Sequence, residues 1–464
     1  MSIILQNYKN LIQNIFKSTF IDNIDNIIND FEGINNINNY INLISSFDNF
    51  MCNYLRNSLI KLLEELDRNY LYSSERKTKY YVKSRHTRTI LTIFGEISYT
   101  RTFYSSKLNN KLFCYVDRLL GLKKYDYFDP YIKAEILDYV SKNNYQETAD
   151  HINSLIGNRI SLDKKTKYLS RQTIRNIVLK ENLSIPKINK LKDTNCLYII
   201  ADEKWISTQR NNGKKIMQKA IVIFDGISSK NNRNYLSNKM TFSGRNETFI
   251  FDAINYIESA YDISKIKTFY ILGDGASWIR NLKYHFNFNT NIKIIQALDK
   301  FHLKQCLWRI SPHNDVVKTL LEYILSNNKK DFKRLINEII DLNPKRQDKI
   351  LEYKRYIINN WSNILNLYKY SLSCPMESQI SHSLAAYFTS RPKGYSLKTL
   401  DKLINLRLLK LNHYNIKDLF LNNLNKQNVI NLNEIQRDID FSIFYQSETY
   451  SITTRTKRKL FLRQ

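Results

Sequence analysis

Five short apolar runs between residues 196 and 299 constrain the fold more than any other feature of this sequence. The runs over residues 196–205, 215–224 and 235–243 predict three consecutive strands. A segment with helical spacing of its apolar residues follows, and strands over residues 269–272 and 291–299 come after it. Three strands followed by alternating helix and strand indicate an α/β fold with one mixed sheet.

This order of elements is typical of an RNase H-like core, in which the first and the fourth strand are neighbours in the sheet. Residues 301–370 have apolar residues three and four positions apart and no strand signal, so they predict a large all-helical insertion. We therefore expect an RNase H-like core made of residues 187–300 and 371–415, with the helical insertion between its two parts.

The rest of the chain predicts a mainly helical architecture. Residues 1–74 contain an amphipathic helix at 54–70, and residues 75–186 combine a basic hairpin with further helices. Pro186, in a polar stretch rich in lysine, marks a boundary with the core. Residues 416–464 are expected to form a basic tail, because their end is dense in lysine and arginine.

The stretch 268–279 ends an apolar run in a Gly-Asp-Gly turn. The chain has only ten glycines in 464 residues, and two of them, Gly273 and Gly275, flank Asp274. Glycine is used where the backbone needs a positive φ or must let another group approach closely. A carboxylate on such a turn, at the end of a buried strand, is placed like an active-site or metal-binding residue. The competing interpretation is an aspartate that caps the next helix.

Two further carboxylates occupy comparable positions. Asp202 lies at the end of the first strand, and Glu377 lies in the first turn of a helix behind a proline. Neighbouring first and fourth strands would bring Asp202 and Asp274 together, and the late helix would deliver Glu377. Mg²⁺ or Mn²⁺ prefers such oxygen ligands. Two of these ions stabilise both the attacking and the leaving oxygen of a phosphoryl transfer.

Several stretches resemble the insertion-sequence transposases of the ISLre type, which belong to the DDE superfamily. The stretches are residues 199–203, 273–279, 298–302, 377–382 and 390–396. The resemblance covers most of residues 75–410, and it implies that Asp202, Asp274 and Glu377 are the catalytic triad. The family often has glycine after its first aspartate, where this chain has Glu203. We favour Asp202 as the ligand, because Glu203 would point to the opposite face of the strand.

Asp299 and His302 resemble the D-x-x-H motif that several transposase families carry. On a helix these two side chains share a face, and His302 could orient a scissile phosphate or a metal-bound water. A histidine of the core, or one that caps a helix, is the alternative. His382 follows Glu377 by five residues and is expected to pack or to touch DNA rather than to catalyse.

Other side chains near the expected site have less specific signals. Arg391 and Lys393 lie in a tight basic loop and are candidates for gripping phosphate, with a solvated loop as the alternative. Trp278 and Trp308 are expected in the core, with stacking on a DNA base as the alternative.

The segment 75–88 is dense in cations and interleaved with tyrosines, and it leads into a hairpin predicted over residues 89–104. A basic hairpin of this kind suits contact with the DNA backbone, through Arg85 and Arg88 among others. The alternative is a solvated edge hairpin whose lysines discourage aggregation.

Residues 144–153 and 169–178 predict two helices, the second with Ser170 as its N-cap. Polar side chains near the start of this helix could reach base edges and phosphates in a major groove, namely Arg171, Gln172 and Arg175. The pair resembles a helix-turn-helix with an unusually long connection. An ordinary helical hairpin is the alternative.

The formal net charge of +28 favours a polyanionic partner, and nucleic acid is the usual one. The abundance of Asn, Ile, Lys and Tyr is also typical of an AT-rich coding bias, which inflates lysine. Five scattered cysteines without a CxxC motif suit a reducing compartment and argue against a disulfide scaffold. No run approaches the roughly 18 apolar residues of a membrane helix. We expect a bacterial protein of the cytoplasm, associated with the nucleoid and not with a membrane.

These features together predict a DNA transposase that uses Mg²⁺ or Mn²⁺. It would bind the terminal inverted repeats of its element as a homo-oligomer, cleave double-stranded DNA and join the ends to target DNA. One alternative is an RNase H-like nuclease or resolvase that cuts without joining, and another is a catalytically inactive DNA-binding derivative. A basic RNA-binding protein is a third, although no RRM-type aromatic motif, KH loop or arginine-glycine repeat supports it.

Overall fold

The computed structural model describes residues 13–17, 37–157, 169–186, 191–209, 214–230, 233–288, 292–372, 384, 386–389 and 394–427. The described residues form a mixed α/β fold and divide into two compact units. The first unit comprises Met1–Glu181 and Ile416–Gln464, and the second comprises Asn182–Asn415. The chain thus leaves the first unit close to the expected boundary at Pro186 and returns to it near residue 416.

The elements of the first unit, in chain order, are α1 (Ile37–Tyr72), α2 (Ser74–Lys79), β1 (Tyr80–Thr92), β2 (Gly95–Ser106), β3 (Leu112–Cys114), α3 (Tyr115–Leu119), α4 (Pro130–Val140), α5 (Tyr145–Gly157) and α6 (Arg171–Lys180). The strands of the second unit are β4 (Cys196–Ser207), β5 (Lys215–Phe224), β6 (Gly226–Lys230), β7 (Arg233–Ser237), β8 (Met240–Gly244), β9 (Thr268–Gly273) and β10 (Lys293–Leu298).

The helices of the second unit are α7 (Thr248–Ala260), α8 (Ser277–His285), α9 (Lys300–Ile310), α10 (Asn314–Leu325), α11 (Lys329–Leu342), α12 (Gln347–Asn359), α13 (Trp361–Lys369), α14 (Ala386–Phe388) and α15 (Leu397–Leu411). The chain then contributes α16 (Ile416–Gln427) to the first unit. The tail expected over residues 416–464 therefore begins with a helix, and residues 428–464 lie outside the described part of the chain.

The predicted hairpin is confirmed, and it is longer than expected. Strands β1 and β2 pair in antiparallel register from Tyr80–Ser106 to Thr92–Gly95, and β3 adds a third strand beside β2. Gly95 has a φ of 110°, which only glycine adopts easily, so the turn falls where the sequence predicted it. The cation-rich segment 75–88 begins in helix α2 and continues as the first part of strand β1.

The second unit is built around a five-stranded sheet in the order β10-β9-β4-β5-β8. Strand β9 runs parallel to both β4 and β10, whereas β5 runs antiparallel to β4 and β8. The expectation that the first and the fourth predicted strand are neighbours is confirmed by the pairing of β4 with β9. In this register Ala201 lies opposite Gly273, and Gly273 lies opposite Leu298.

Successive side chains of these strands point to opposite faces of the sheet. One face, which carries Ile199 and Ile271, packs in the same core as side chains of α7 and α8. The other face carries Leu272 and Ala297 and packs against Leu367 of α13. Both faces are covered, which explains why the strand sequences are apolar without polar alternation.

The strand predicted over residues 235–243 is wrong as a single element. Asn238 adopts a φ of 51°, a left-handed conformation that asparagine tolerates better than most residues, and it separates β7 from β8. Strand β7 pairs with β6 in a two-stranded ribbon, whereas β8 is the edge strand of the main sheet. The all-helical character predicted for residues 301–370 is confirmed by helices α9 to α13.

The outer edge of β8 is covered by one amide side chain. Asn412, which follows α15, accepts a hydrogen bond from the backbone N–H of Thr241 at 2.7 Å and donates one to its carbonyl at 2.9 Å. Both residues are buried. The amide thus takes the place of a further strand at this edge.

Among the described helices, none combines the length and the hydropathy that crossing a bilayer requires.

We predict that Asn412→Ala lowers the free energy of unfolding by about 3 kcal/mol, because it leaves a buried N–H and a buried carbonyl of Thr241 without partners. The quantity is measured by urea titration. Lys398→Ala, on an exposed position of α15, is the matched control and should change it by less than about 0.5 kcal/mol. Equal effects of the two substitutions would contradict the role of Asn412.

Candidate functional site

Three aspartates form a row where the parallel pairing of the strands ends. Asp202 does not end its strand, as the sequence predicted, because β4 continues to Ser207 in antiparallel pairing with β5. Asp202, Asp274 and Asp299 each come one residue after the paired positions Ala201, Gly273 and Leu298. Neighbouring strands are about 4.8 Å apart, so the row spans three adjacent strands. By the alternation of side chains, the three carboxylates share the sheet face that carries Leu272 and Ala297. The predicted convergence of Asp202 and Asp274 is therefore confirmed at the level of the backbone.

Asp202 lies in a partly buried environment beside other carboxylates. Its Oδ1 accepts a hydrogen bond of 2.7 Å from the backbone N–H of Glu203. Burial raises the pKa of Asp202 to about 6, and the charge of Asp274 acts in the same direction. The positive charge of His302 opposes the shift. Burial therefore disfavours the charged form of Asp202, and the neighbouring carboxylate of Asp274 adds to this effect.

Asp274 lies on a turn whose shape requires both flanking glycines. Gly275 has a φ of 83°, and a Cβ atom there would come within 2.6 Å of Oδ1 of Asn360. A Cβ atom on Gly273 would come within 2.7 Å of the carbonyl of Ala201 on the neighbouring strand. Oδ1 of Asp274 accepts a hydrogen bond of 2.9 Å from the backbone N–H of Ala276. Because Ala276 is the N-cap residue of α8, Asp274 forms a turn ahead of that helix and does not cap it.

Asp299 and His302 form a close pair at the start of α9. Asp299 is the N-cap of the helix, and its Oδ1 accepts from the backbone N–H of Phe301 at 3.3 Å. Its Oδ2 lies 2.9 Å from Nδ1 of His302. This hydrogen bond raises the pKa of His302, and the charges of Asp274 and Asp202 add to the effect, whereas burial opposes it. With Nδ1 bound to Asp299, Nε2 is the ring nitrogen left for a substrate or another ligand.

Glu203 has a different role. It lies on the opposite sheet face from Asp202, and its Oε2 accepts a hydrogen bond of 2.6 Å from Nε1 of Trp278. The ammonium group of Lys219 lies 5.3 Å from the ring of Trp278. Trp278, predicted in the core, is half-buried and packs against the core that side chains of α7 and α8 share. The core position predicted for Trp308 is wrong, because this side chain is 46% exposed.

Two residues that had no signal in the sequence support the site. They are Tyr356 of α12 and Asn360, which directly follows this helix. The hydroxyl of Tyr356 donates a hydrogen bond to the carbonyl of Asp274, and the buried Asn360 packs against Gly275. These residues lie more than eighty positions after Asp274 in a segment that reads only as amphipathic helix. Their contacts depend on how the helical insertion folds back onto the sheet.

Four predicted site residues lie outside the described residues, namely Glu377, His382, Arg391 and Lys393. The described site therefore contains two of the three carboxylates of the expected triad. Within the described part of the chain, no three His, Cys, Asp or Glu side chains are grouped so that they could hold a metal ion. Asp202 and Asp274 supply two of the oxygen donors that a divalent cation would need.

Arg88, predicted to contact nucleic acid, is buried and is not accessible for that contact. Its side chain is only 5% exposed, and its guanidinium pairs with Asp117 at 2.8 Å. It also donates hydrogen bonds to the carbonyls of Lys123 and Asp126. Arg88 lies two residues before the buried Ile90 and therefore on the same strand face. This spacing is the sequence signal that could have predicted the burial of Arg88. Arg85 is exposed on β1, so it is accessible for the predicted contact with nucleic acid.

The predicted helix after Ser170 is confirmed as α6. Oγ of Ser170 accepts from the backbone N–H of Thr173, and Asn153 of α5 is hydrogen-bonded to both backbone groups of Leu169. Helix α6 buries Ile174, Ile177 and Val178, and it packs with α4 and α5. The polar face is open: Arg171 and Gln172 are exposed, and Arg175 is half-buried.

We predict that Asp202→Asn stabilises the chain above pH 6 in the presence of EDTA. The folded chain binds a proton at this carboxyl more tightly than the unfolded chain does, so the wild type loses stability as the pH rises from about 4 through 6. The variant keeps the Oδ1 acceptor and should be more stable by about 2 kcal/mol at pH 7.5.

The measurement is urea unfolding of both proteins between pH 4 and pH 8. The difference should shrink towards pH 4, where the folded carboxyl is almost fully protonated and the unfolded carboxyl is close to its own pKa. Asp341→Asn, at an exposed position of α11, is the control and should show no such trend. A difference that is independent of pH would contradict the unfavourable environment of Asp202.

Comparison with known proteins identifies the family of the chain. The family model described as "Uncharacterised protein family (UPF0236)" matches residues 34–420. Two UPF0236 proteins of Caldanaerobacter subterraneus subsp. tengcongensis are 29% and 28% identical to the chain over 374 residues, and each match covers 78% of this chain and 76% of the relative. A third protein of that name and organism is 29% identical, with 78% of this chain and 72% of the relative covered.

The resemblance to ISLre-type transposases was wrong as an identification of the family. The model that matches is that of UPF0236, and these relatives carry the same name. Because the match extends over most of the chain and includes both compact units, the chain belongs to the family UPF0236.

Proposed function

We propose that this chain is a DNA transposase that cleaves DNA strands and joins them to a target by metal-dependent phosphoryl transfer. The observation that carries the proposal is the pair Asp202 and Asp274, which directly follow the last residues paired between the parallel strands β4 and β9 and share a sheet face. Burial raises the pKa of Asp202, and the negative charge of Asp274 adds to the shift, so the two carboxylates interact electrostatically.

The sheet supports an RNase H-like interpretation of the core. In chain order, the strands β4, β5 and β8 form an antiparallel meander, and β9 and β10 continue the sheet on the other side of β4 in parallel orientation. The arrangement includes the expected pairing of the first with the fourth strand, and it puts a carboxylate directly after the last parallel-paired residue of each. Ligands of open α/β sheets bind outside the carboxyl ends of parallel strands.

The donor set suits a hard divalent cation such as Mg²⁺ or Mn²⁺. Asp202 and Asp274 would hold it, and we expect Glu377 to complete the set from the segment between α13 and α14. Bound there, the cation would stabilise developing charge on the oxygens of the phosphoryl group. A cation would also offset the repulsion between Asp202 and Asp274, which adds to the effect of burial on the pKa of Asp202.

His302 is suited to binding phosphate beside these carboxylates. Asp299 fixes the imidazole through Nδ1 and raises its pKa, so the ring carries positive charge more readily near neutral pH. A charged Nε2–H can donate a hydrogen bond to a phosphate oxygen. In this arrangement Asp299 acts as a positioning residue, and Tyr356 holds the backbone of Asp274 in place.

The first unit is proposed to bind the DNA ends. Helix α6 exposes Arg171 and Gln172 at its start, the position from which a recognition helix contacts base edges, and Arg85 lies exposed on β1. The net charge of +28 favours a polyanion. We expect a homo-oligomer on DNA, because strand transfer requires two ends in one complex, and we expect it to act at the nucleoid.

The names of the relatives add independent support. One name joins eleven locus designations of a single organism, and another joins four. Repeated copies of one gene in one genome are expected of an element that copies or moves itself. The alternatives are a nuclease or resolvase that cuts without joining, and an inactive DNA-binding derivative. The product of the reaction distinguishes them.

We predict that Asp202→Asn and Asp274→Asn each lower the rate of strand cleavage at least about 1,000-fold, because each removes a charged donor from the proposed cation site. The substrate is labelled duplex DNA from the regions that flank this reading frame, incubated with the full-length chain, Mg²⁺ and an unlabelled plasmid. Joined and cut products are separated on denaturing gels.

Asp341→Asn removes an exposed carboxylate of the same unit and should leave the rate unchanged within about twofold. Labelled ends joined covalently to the plasmid would support a transposase, whereas cut ends without joined product would favour the nuclease. Full activity of both Asp202→Asn and Asp274→Asn would overturn the proposal.

A further inference from the structure

A groove opens beside the row of aspartates, between the start of α9 and the end of α13. It has a volume of about 650 Å³, within the range of small-molecule sites. Its lining consists of Asp299, Lys300, Phe301, Lys304, Leu367, Tyr368, Ser371 and Leu372. All of these residues belong to the second unit. Asp299 lines the groove and also binds His302, so the groove adjoins the proposed catalytic site.

The lining combines flat apolar surface with positive charge. Leu367 is buried and Leu372 half-buried, and both pack in one small core with Tyr368. Phe301 is 44% exposed, although its large ring would be expected inside the protein. The ring centroid of Phe301 lies 5.5 Å from that of His302. The exposed ring of Phe301 thus lies beside His302, whose pKa is raised in part by the charges of Asp274 and Asp202.

Two lysines form the cationic rim of the groove. Lys300 and Lys304 are exposed, and in the described part of the chain neither forms an ion pair with an acidic side chain. Along α9, Phe301, Lys304 and Trp308 are spaced by three and four residues, so they share one face of the helix. Trp308 is 46% exposed and continues the aromatic surface away from the groove.

We propose that this groove receives an unpaired nucleotide of the DNA strand that is cut or joined at the adjacent site. The inference rests on the proposed function, and it adds that the bound DNA is locally single-stranded. A base would stack on Phe301 and the ring of Tyr368, and its phosphates would contact Lys300 and Lys304. Aromatic surface with interleaved cations is the chemistry that binds single-stranded DNA without reading its sequence.

A fully paired duplex would not use this surface, because its base faces are already stacked on one another. An apolar ligand would not require the lysine rim, and an acidic peptide would not require the aromatic faces. The combination therefore favours a nucleotide with an exposed base. The unpaired end would then lie next to the carboxylates that act on its phosphate.

The test measures binding of the full-length chain to two duplexes of the same sequence, one blunt and one with a short unpaired 3′ extension. EDTA is present, so no strand is cut. We expect the wild type to bind the extended duplex about tenfold more tightly, since stacking on an aromatic side chain strengthens binding by about this factor per base. Phe301→Ala should remove this preference and leave binding to the blunt duplex unchanged.

Tyr284→Ala, which removes a 70% exposed aromatic ring from α8, is the matched control and should keep the preference. The double variant Lys300→Ala and Lys304→Ala should weaken binding of the extension. The double variant Lys318→Ala and Lys330→Ala, at exposed positions of α10 and α11, is the matched control and should not. A 2-aminopurine in the extension should lose fluorescence on binding to the wild type and not on binding to Phe301→Ala.

The outcomes separate the two proposals. If Phe301→Ala keeps the full preference for the extended duplex, the groove does not receive the unpaired nucleotide, whatever the activity of the site. The preference could instead depend on Phe301 while Asp202→Asn and Asp274→Asn still cleave DNA normally. This result would support binding of the unpaired nucleotide in the groove and would contradict the proposed catalytic role of the carboxylates.

Discussion

Parallel pairing of β4, β9 and β10 fixes the positions of the acidic side chains in the second unit. Because Ala201, Gly273 and Leu298 lie in one register, the residues that follow them emerge in a row at the same end of the sheet. A shift of one residue in any of these strands would send its carboxylate to the opposite face. The apolar residues of both sheet faces resist such a shift, since each is buried against its own set of helices.

The helical insertion is part of the site and not only an addition to the core. Helix α9 begins after Asp299 and brings His302 towards the other two aspartates, and α13 covers the same sheet face. Helix α12 reaches back to the turn at Asp274, where Tyr356 and Asn360 contact the backbone. The glycines that flank Asp274 are needed for this close approach, because a side chain at either position would collide with a neighbouring element.

The neighbouring positions of the first and the fourth strand, and hence of Asp202 and Asp274, could be predicted from the sequence, since buried parallel strands are recognisable and their succession along the chain restricts the topology. The break at Asn238 could not, because a single left-handed residue leaves no trace in the hydrophobic pattern. The burial of Arg88 was not predicted, because the prediction rested on the number of cations in the hairpin and not on the strand face that each of them occupies. Tyr356 and Asn360 were missed because their contacts are distant in sequence.

Occupancy of the carboxylate row by a divalent cation is the claim on which the proposed chemistry rests. It is tested most directly by anomalous diffraction from crystals of the full-length chain soaked in Mn²⁺. We predict an anomalous peak in contact with the carboxylates of both Asp202 and Asp274, and its loss in Asp274→Asn crystals. Well-occupied Mn²⁺ elsewhere, with no peak between these two side chains, would contradict the claim.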